Sequence, residues 1–141
     1  MAARKTLNVS LVTPEGDAYE GEAEMVIVPG AAGEIGVLAR HAPLVALLKA
    51  GSVRIYETVE PEEMREFAVG PGFFKVERDR AIALVDDAVL AGEIDPERAR
   101  RQLDEARAEL EAIDRGDSSA DRWQVEQRIR HAENRLTVVG R

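Results

Sequence analysis

The chain has no cysteine among its 141 residues, which removes disulfides, thiolate metal sites and thiol nucleophiles together. It has only two histidines, His41 and His131, far apart and with no second imidazole near either. A histidine-built metal site is therefore not expected. No apolar run approaches the roughly 20 residues needed to cross a bilayer. The start, Met1 to Lys5, runs into a strand-like pattern without the apolar stretch of a signal peptide. Positive charge is also short: 19 Lys and Arg face 27 Asp and Glu, for a net charge of −8 and a pI near 4.9. Nucleic-acid binding requires a concentrated positive field, so that class is set aside. These absences predict a soluble, intracellular chain. What is present is 45% apolar and 33% charged, enough for one domain, or a small core with one appendage.

The two parts of the sequence follow different periods. Leu7, Val9 and Leu11 alternate with Asn8 and Ser10, and Val53 and Ile55 alternate with Arg54 and Tyr56. Phe67 and Val69, Phe73 to Glu77 and Ala81 to Val85 repeat the pattern, and nine of the 11 glycines and five of the six prolines punctuate it. Seven to ten short strands with turn signals every 8–12 residues predict an antiparallel sandwich or flattened barrel. After Ile94 the period becomes helical. Asp95-Pro96 reads as an N-cap with proline at the first helical position, and Glu97 adds a carboxylate in the first turn. Ala99, Leu103, Ala106, Leu110 and Ile113 form one narrow seam, and Val125, Ile129, Ala132 and Leu136 form another. Arg115 to Ser119 breaks the run, with Ser118, Ser119 or Asp121 available to cap the second helix. The fold class is β + α: an N-terminal antiparallel β-sandwich of about ten short strands, then a C-terminal antiparallel αα-hairpin. The divisions expected are residues 1–90 and 91–141.

Charge is sorted within the hairpin. Residues 95–114 carry four Arg against seven Asp and Glu, and residues 122–141 carry five Arg against two Glu. Two readings are open: pairing within the hairpin, worth about 0–1 kcal/mol per exposed pair, or a basic last helix free to meet an acidic partner. A seam of alanine and leucine about five layers long supports only a few kcal/mol at roughly 25 cal/mol per Å2, the scale of a switch rather than a permanent core.

Catalytic constellations are missing. There is no phosphate-cradling loop followed by Gly-Lys-Ser/Thr, and Gly30-Ala31-Ala32-Gly33 leads to no helix. The serines lack an elbow motif. Asp86-Asp87 could imitate paired carboxylates, but adjacent strand residues face opposite ways, so a strand-end or turn role is preferred. His41 is read as a loop-packing residue and Trp123 as a surface anchor.

The run from Val28 through Pro29-Gly30-Ala31-Ala32-Gly33-Glu34-Ile35-Gly36 to Arg40-His41-Ala42-Pro43-Leu44 resembles the characteristic loop of the epsilon subunit of rotary proton-translocating ATP synthases. Leu11 to Gly16, Lys49 to Ile55, Phe67 to Phe73 and the boundary motif Ile94-Asp95-Pro96-Glu97-Arg98-Ala99 fit that family in order, over essentially the whole chain. The resemblance implies a non-catalytic central-stalk rotor subunit. Its partners would be the gamma subunit, the c-subunit ring and the alpha/beta catalytic hexamer. It would meet the membrane only through the complex, at the cytoplasmic face of the cell membrane. The sandwich would bind gamma and the c-ring, with Glu34 and His41 matching the ring contact. The hairpin would be regulatory, blocking hydrolysis when extended through Arg122, Arg128, Arg130 and Arg135. No cofactor is required, but Ile94, Asp95, Arg98, Ala99, His131 and Arg135 match a regulatory ATP site of some members. Two positions depart from that pattern: His131 stands where an arginine is expected, and Val89 where a glutamate is. The alternatives are a free-standing ATP-sensing module and a small hydrolase using Asp86 or Asp87 with His41.

Overall fold

The computed structural model describes residues 5–140. The outermost positions of the two expected divisions, 1–4 and 141, lie outside the described residues. Ten strands form first: β1 (Leu7–Thr13), β2 (Gly16–Ala23), β3 (Met25–Gly30), β4 (Gly33–Leu38), β5 (Leu44–Leu48), β6 (Gly51–Thr58), β7 (Glu63–Val69), β8 (Gly72–Glu77), β9 (Arg80–Val85) and β10 (Ala88–Leu90). A 3-10 turn at Ala91–Glu93 leads to helices α1 (Pro96–Asp114) and α2 (Arg122–Val139).

The strands hydrogen-bond in the order β10-β7-β6-β3-β5-β8-β9-β1-β2, with β4 added to β3. The β3–β5 link is a single residue pair, Gly30 with Leu48. The sheet therefore folds over there into two layers, β10-β7-β6-β3-β4 and β5-β8-β9-β1-β2. Alternation decides which side chains enter the space between them. Leu7, Val9 and Leu11 of β1, Val53 and Ile55 of β6, Phe74 and Val76 of β8 and Ala81, Ala83 and Val85 of β9 share one buried cluster. Tyr19 and Phe67 meet edge to face, ring centres 6.3 Å apart, linking β2 to β7 across the layers.

The sandwich differs from the all-antiparallel expectation at one seam, where β1 pairs with β9 in parallel, Asn8 opposite Arg80 through Val12 opposite Leu84. Strand alternation specifies burial, and a parallel neighbour satisfies it as well as an antiparallel one.

The hairpin forms as its caps dictate. Asp95 accepts hydrogen bonds from the Glu97 and Arg98 backbone N–H groups at 3.0 and 3.3 Å, and Pro96 gives up no donor there. Gly116, at φ 78°, turns the chain out of α1 while Asp117 N–H bonds back to Ala112 O at 2.8 Å. Among the three cap candidates Asp121 is the one used, accepting from Trp123 N–H at 2.9 Å. Ser118 instead donates to Glu109 at 2.7 Å and accepts from Ala120 N–H. Of the two seams, Ala99, Leu103, Ala106, Val125 and Ala132 are buried. Leu110, Ile113, Ile129 and Leu136 are only half-buried, because two helices without a third neighbour cannot enclose long side chains on every layer.

Candidate functional site

The features that could act lie at three places: where the hairpin meets the sandwich, on the arginine face of α2, and on two exposed parts of the sandwich.

The hairpin is docked. α2 crosses β6, β7 and the 3-10 turn, and its inner face there is polar. Asn134 Nδ2 donates to the carbonyls of Gly51 and Val69, each at 3.0 Å. Those two residues face each other at the end of the β6–β7 ladder, so one amide group closes both strands. Arg135 Nη2 donates to Asp87 Oδ2 at 2.8 Å, and His131 Nε2 lies 3.4 Å from Asp86 Oδ2. Val138, 3% exposed, is the buried apolar residue of α2's last turn.

Asp86 and Asp87 do sit at a strand end, as preferred, in the link between β9 and β10. Asp86 N–H donates to Pro71 O at 3.2 Å, and Gly70 N–H donates to Asp87 O at 2.9 Å. Gly70 has no room for a side chain, since a Cβ there would stand 1.7 Å from Asp86 Oδ1. Their pairing with α2 is what the sequence reading missed. The available signal was two adjacent carboxylates and, at i and i+4 of one helix, a histidine and an arginine able to bond to them, His131 and Arg135. No hydrolytic pair forms with His41, whose Nδ1 lies 2.7 Å from the carbonyl oxygen of the next residue, Ala42.

The residues of the candidate nucleotide site are brought together. Ile94, Asp95, Arg98, Ala99 and Arg135, with Val89, line a cavity of about 200 Å3. His131 lines a neighbouring cleft of about 390 Å3 between the helices, facing Glu105, and Arg135 and Gln102 belong to both. The Asp95 carboxylate is occupied as a helix cap and Arg135 by Asp87. Among the described residues no cluster of three or more His, Asp or Glu could hold a metal.

The arginines of α2 divide into two kinds. Arg122 bonds to Asp114 and lies 3.6 Å from Glu126, and the Asp114 bond and charge hold its guanidinium above its ordinary value. Arg135 is bound to the sandwich. Arg128 and Arg130 are exposed and make no ion pair among the described residues.

On the sandwich, Glu34 lies at the start of β4, where its Oε2 accepts from Arg54 Nη2 at 2.6 Å. Burial opposes the charge on Arg54, but the Glu34 bond and charge outweigh it, with Tyr56 and Glu66 adding to them. His41 comes after the other end of β4, so the two are neighbours in sequence and belong to opposite ends of one strand. Beside Glu34, the Gly30–Gly33 turn and Ala46 and Leu47 of β5 frame an apolar hollow of about 460 Å3.

A second exposed feature escaped the sequence reading. Leu47, Phe73 and Leu84 stand directly opposite one another across β5, β8 and β9, at 58%, 57% and 51% exposure. Val45 and Ile82 flank them in the next row. Alternation marks these positions as outward, but only the register assembles them into a patch.

No nucleophile, base and oxyanion donor converge anywhere among the described residues. Fold and site together define a binding protein: a rigid sandwich with an exposed apolar face and a helical hairpin held on it by polar contacts. The comparisons with known proteins agree. Residues 6–91 match the family model described as ATP synthase, Delta/Epsilon chain, beta-sandwich domain. An ATP synthase epsilon chain of Halalkalibacterium halodurans is 40% identical over 136 residues, covering 96% of this chain and 98% of the relative. One from Rubrobacter xylanophilus is 37% identical, covering 93% and 90%. A chain in the Euglena gracilis mitochondrial ATP synthase structure (OSCP/F1/c-ring) shares the fold at a TM-score of 0.70 and 23% identity, over 95% of this chain and 81% of that one. The chain belongs to the ATP synthase delta/epsilon family and is a non-catalytic subunit of an ATP synthase.

Proposed function

We propose that this chain is a central-stalk rotor subunit, fastened by its sandwich to the gamma subunit and the c-subunit ring, with its hairpin restraining ATP hydrolysis. The observation that carries the reading is the outward row Leu47–Phe73–Leu84 with Val45 and Ile82. An aliphatic and aromatic patch of this kind needs a cover, and gamma is the partner assigned to it. Solved structures sharing the fold are of assemblies of this type, an OSCP/F1/c-ring complex of Euglena gracilis and a central stalk/c-ring complex of Tetrahymena thermophila. Glu34 and His41 serve the ring from either end of β4. Charged groups at a contact rim give register and exchange readily.

In the inhibitory role Arg128 and Arg130 act first, being exposed and without ion pairs among the described residues, and they meet acidic segments of the alpha/beta hexamer. Arg122 and Arg135 join only when Asp114 and Asp87 release them. Arginine's planar fork suits carboxylates. No described helix is long and apolar enough to cross a membrane. In the stalk role the chain meets the membrane through its partners, at the cytoplasmic face.

Adding the chain to an ATP synthase depleted of it tests the stalk role: coupling of proton flow to ATP synthesis should return. A depleted enzyme that couples equally well without it would contradict the reading. Removal of residues 94–141 should leave coupling intact and raise hydrolysis severalfold, and unchanged hydrolysis would remove the inhibitory role alone.

A second reading, regulatory ATP on the hairpin, rests on the cavity shared by Ile94, Asp95, Arg98, Ala99 and Arg135. That cavity alone falls below the roughly 300–1,000 Å3 usual for ligand sites, so the nucleotide would extend into the cleft beside His131. Titration calorimetry with ATP, with Arg98→Ala as control, decides it; no heat at millimolar ATP removes the site.

A further inference from the structure

Glu34 is held in place from two strands away. We infer that Arg54 is a positioning residue for the ring contact: it fixes the Glu34 carboxylate at the edge of the sheet with one oxygen left for a hydrogen-bond donor of the partner, and the open place at Gly36 lets the partner's backbone come close. The inference rests on the ring contact proposed for Glu34 and adds how that carboxylate is aimed and what it takes.

Among the described strands β4 pairs with β3 alone, so its other side is a free edge. Glu34, Gly36 and Leu38 make its exposed face, with Ile35 half-buried and Val37 buried between them. On β3, Ile27 lies opposite Gly36 on one side and Arg54 of β6 on the other, and Pro29 lies opposite Glu34. Arg54 therefore reaches diagonally across β3, and its Nη2 donates to Glu34 Oε2 at 2.6 Å. Glu34 Oε1 makes no hydrogen bond among the described residues, which leaves one acceptor to a partner.

Stability does not account for this pair. The Glu34 side chain is 60% exposed and that of Arg54 25%, and an ion pair whose carboxylate is mostly in water adds little. The same geometry leaves Arg54 Nε buried without a hydrogen-bond partner, which is unfavourable. What the pair does supply is order. A free glutamate on a strand edge loses rotamer freedom when it is bound, whereas one already held loses less. Gly36 points to a partner independently. Its backbone is not left-handed, and a Cβ there would meet nothing within 4 Å. Neither conformation nor packing inside the chain calls for glycine, and glycine within a strand weakens it. A missing side chain on this exposed edge suits a close-approaching backbone. The partner group is thus a donor carried on a loop that lies against β4.

The test compares dissociation constants of full-length variants for an ATP synthase depleted of this chain. Glu34→Ala should weaken binding about five- to twentyfold, as for one hydrogen bond to a charged group. Arg54→Met should weaken it about three- to tenfold, the scale of ordering one side chain, with the thermal midpoint of the free chain within about 4 °C of the parent. The double variant should bind no more weakly than Glu34→Ala, because Arg54 acts through that carboxylate. Gly36→Val should leave the midpoint unchanged or higher and weaken binding about tenfold or more. Arg54→Met binding like the parent while Glu34→Ala binds weakly would overturn the positioning role and leave the ring contact standing, and so would additive losses in the double variant. If Arg54→Met does not fold, Arg54→Gln takes its place in the series, and failure of both to fold would make Arg54 a structural residue and overturn its role. Gly36→Val binding like the parent would overturn the close approach. Glu34→Ala binding like the parent would remove the ring contact and the inference together, and a parent chain that does not bind the depleted enzyme would remove the stalk role itself.

Discussion

The sandwich buries Leu, Ile, Val and Phe side chains from eight strands in one shared cluster, whereas the hairpin's fully buried residues are Ala99, Leu103, Ala106, Val125, Ala132 and Val138, half of them alanine. The attachments differ in kind as well. Each sandwich layer is tied by continuous backbone ladders, while the hairpin rests on an amide, the Arg135–Asp87 ion pair, the His131–Asp86 contact and one buried valine. Apolar burial is strong and insensitive to pH and salt. A polar contact is weaker, directional and adjustable. One chain thus carries a part held by apolar packing and a part attached largely through polar contacts.

The largest effect expected is in the sandwich. Phe74→Ala, at a position 1% exposed, should cost about 3–5 kcal/mol and lower the denaturation midpoint of the whole chain. Asn134→Ala comes next: it strands the Gly51 and Val69 carbonyls and should take about 1–3 kcal/mol from docking. Ala68 is 1% exposed on β7, a strand that α2 packs against, and faster thiol labelling of an Ala68→Cys chain with the strand signals of the sandwich unchanged would show it. A loss of the whole fold would instead make the hairpin part of one cooperative core. Asp87→Asn should weaken docking by about 1 kcal/mol or less and abolish part of its salt dependence, read from labelling in low and high salt. Smallest for stability is Phe73→Glu on the exposed row, within about 0.5 kcal/mol in the isolated chain. It should nonetheless abolish co-purification with gamma, and retained co-purification would move the gamma surface elsewhere.

Much of this architecture is legible in the sequence. The alternation at Leu7, Val9, Leu11 and at Val53, Ile55 names core residues because strand geometry turns period two directly into burial. Asp95-Pro96 marks the start of α1 because capping is local chemistry. What could not be read depends on distant residues meeting. The β1–β9 pairing joins segments about 70 positions apart. The apolar row is an alignment of three strands, each showing only an outward hydrophobe. The contact of Asp86 with His131 spans 45 positions, and only the docked geometry reveals that this histidine faces a carboxylate. Glu34 and His41 make the same point in reverse, since closeness along the chain placed them at opposite ends of a strand.

Native-state hydrogen exchange under increasing denaturant tests the two-part construction most directly. The account predicts two separate isotherms for the full chain, with hairpin amides such as those of Leu103 and Ala132 opening at a clearly lower free energy than Phe74, Val76 and Ala83. A single isotherm shared by helices and strands would contradict it.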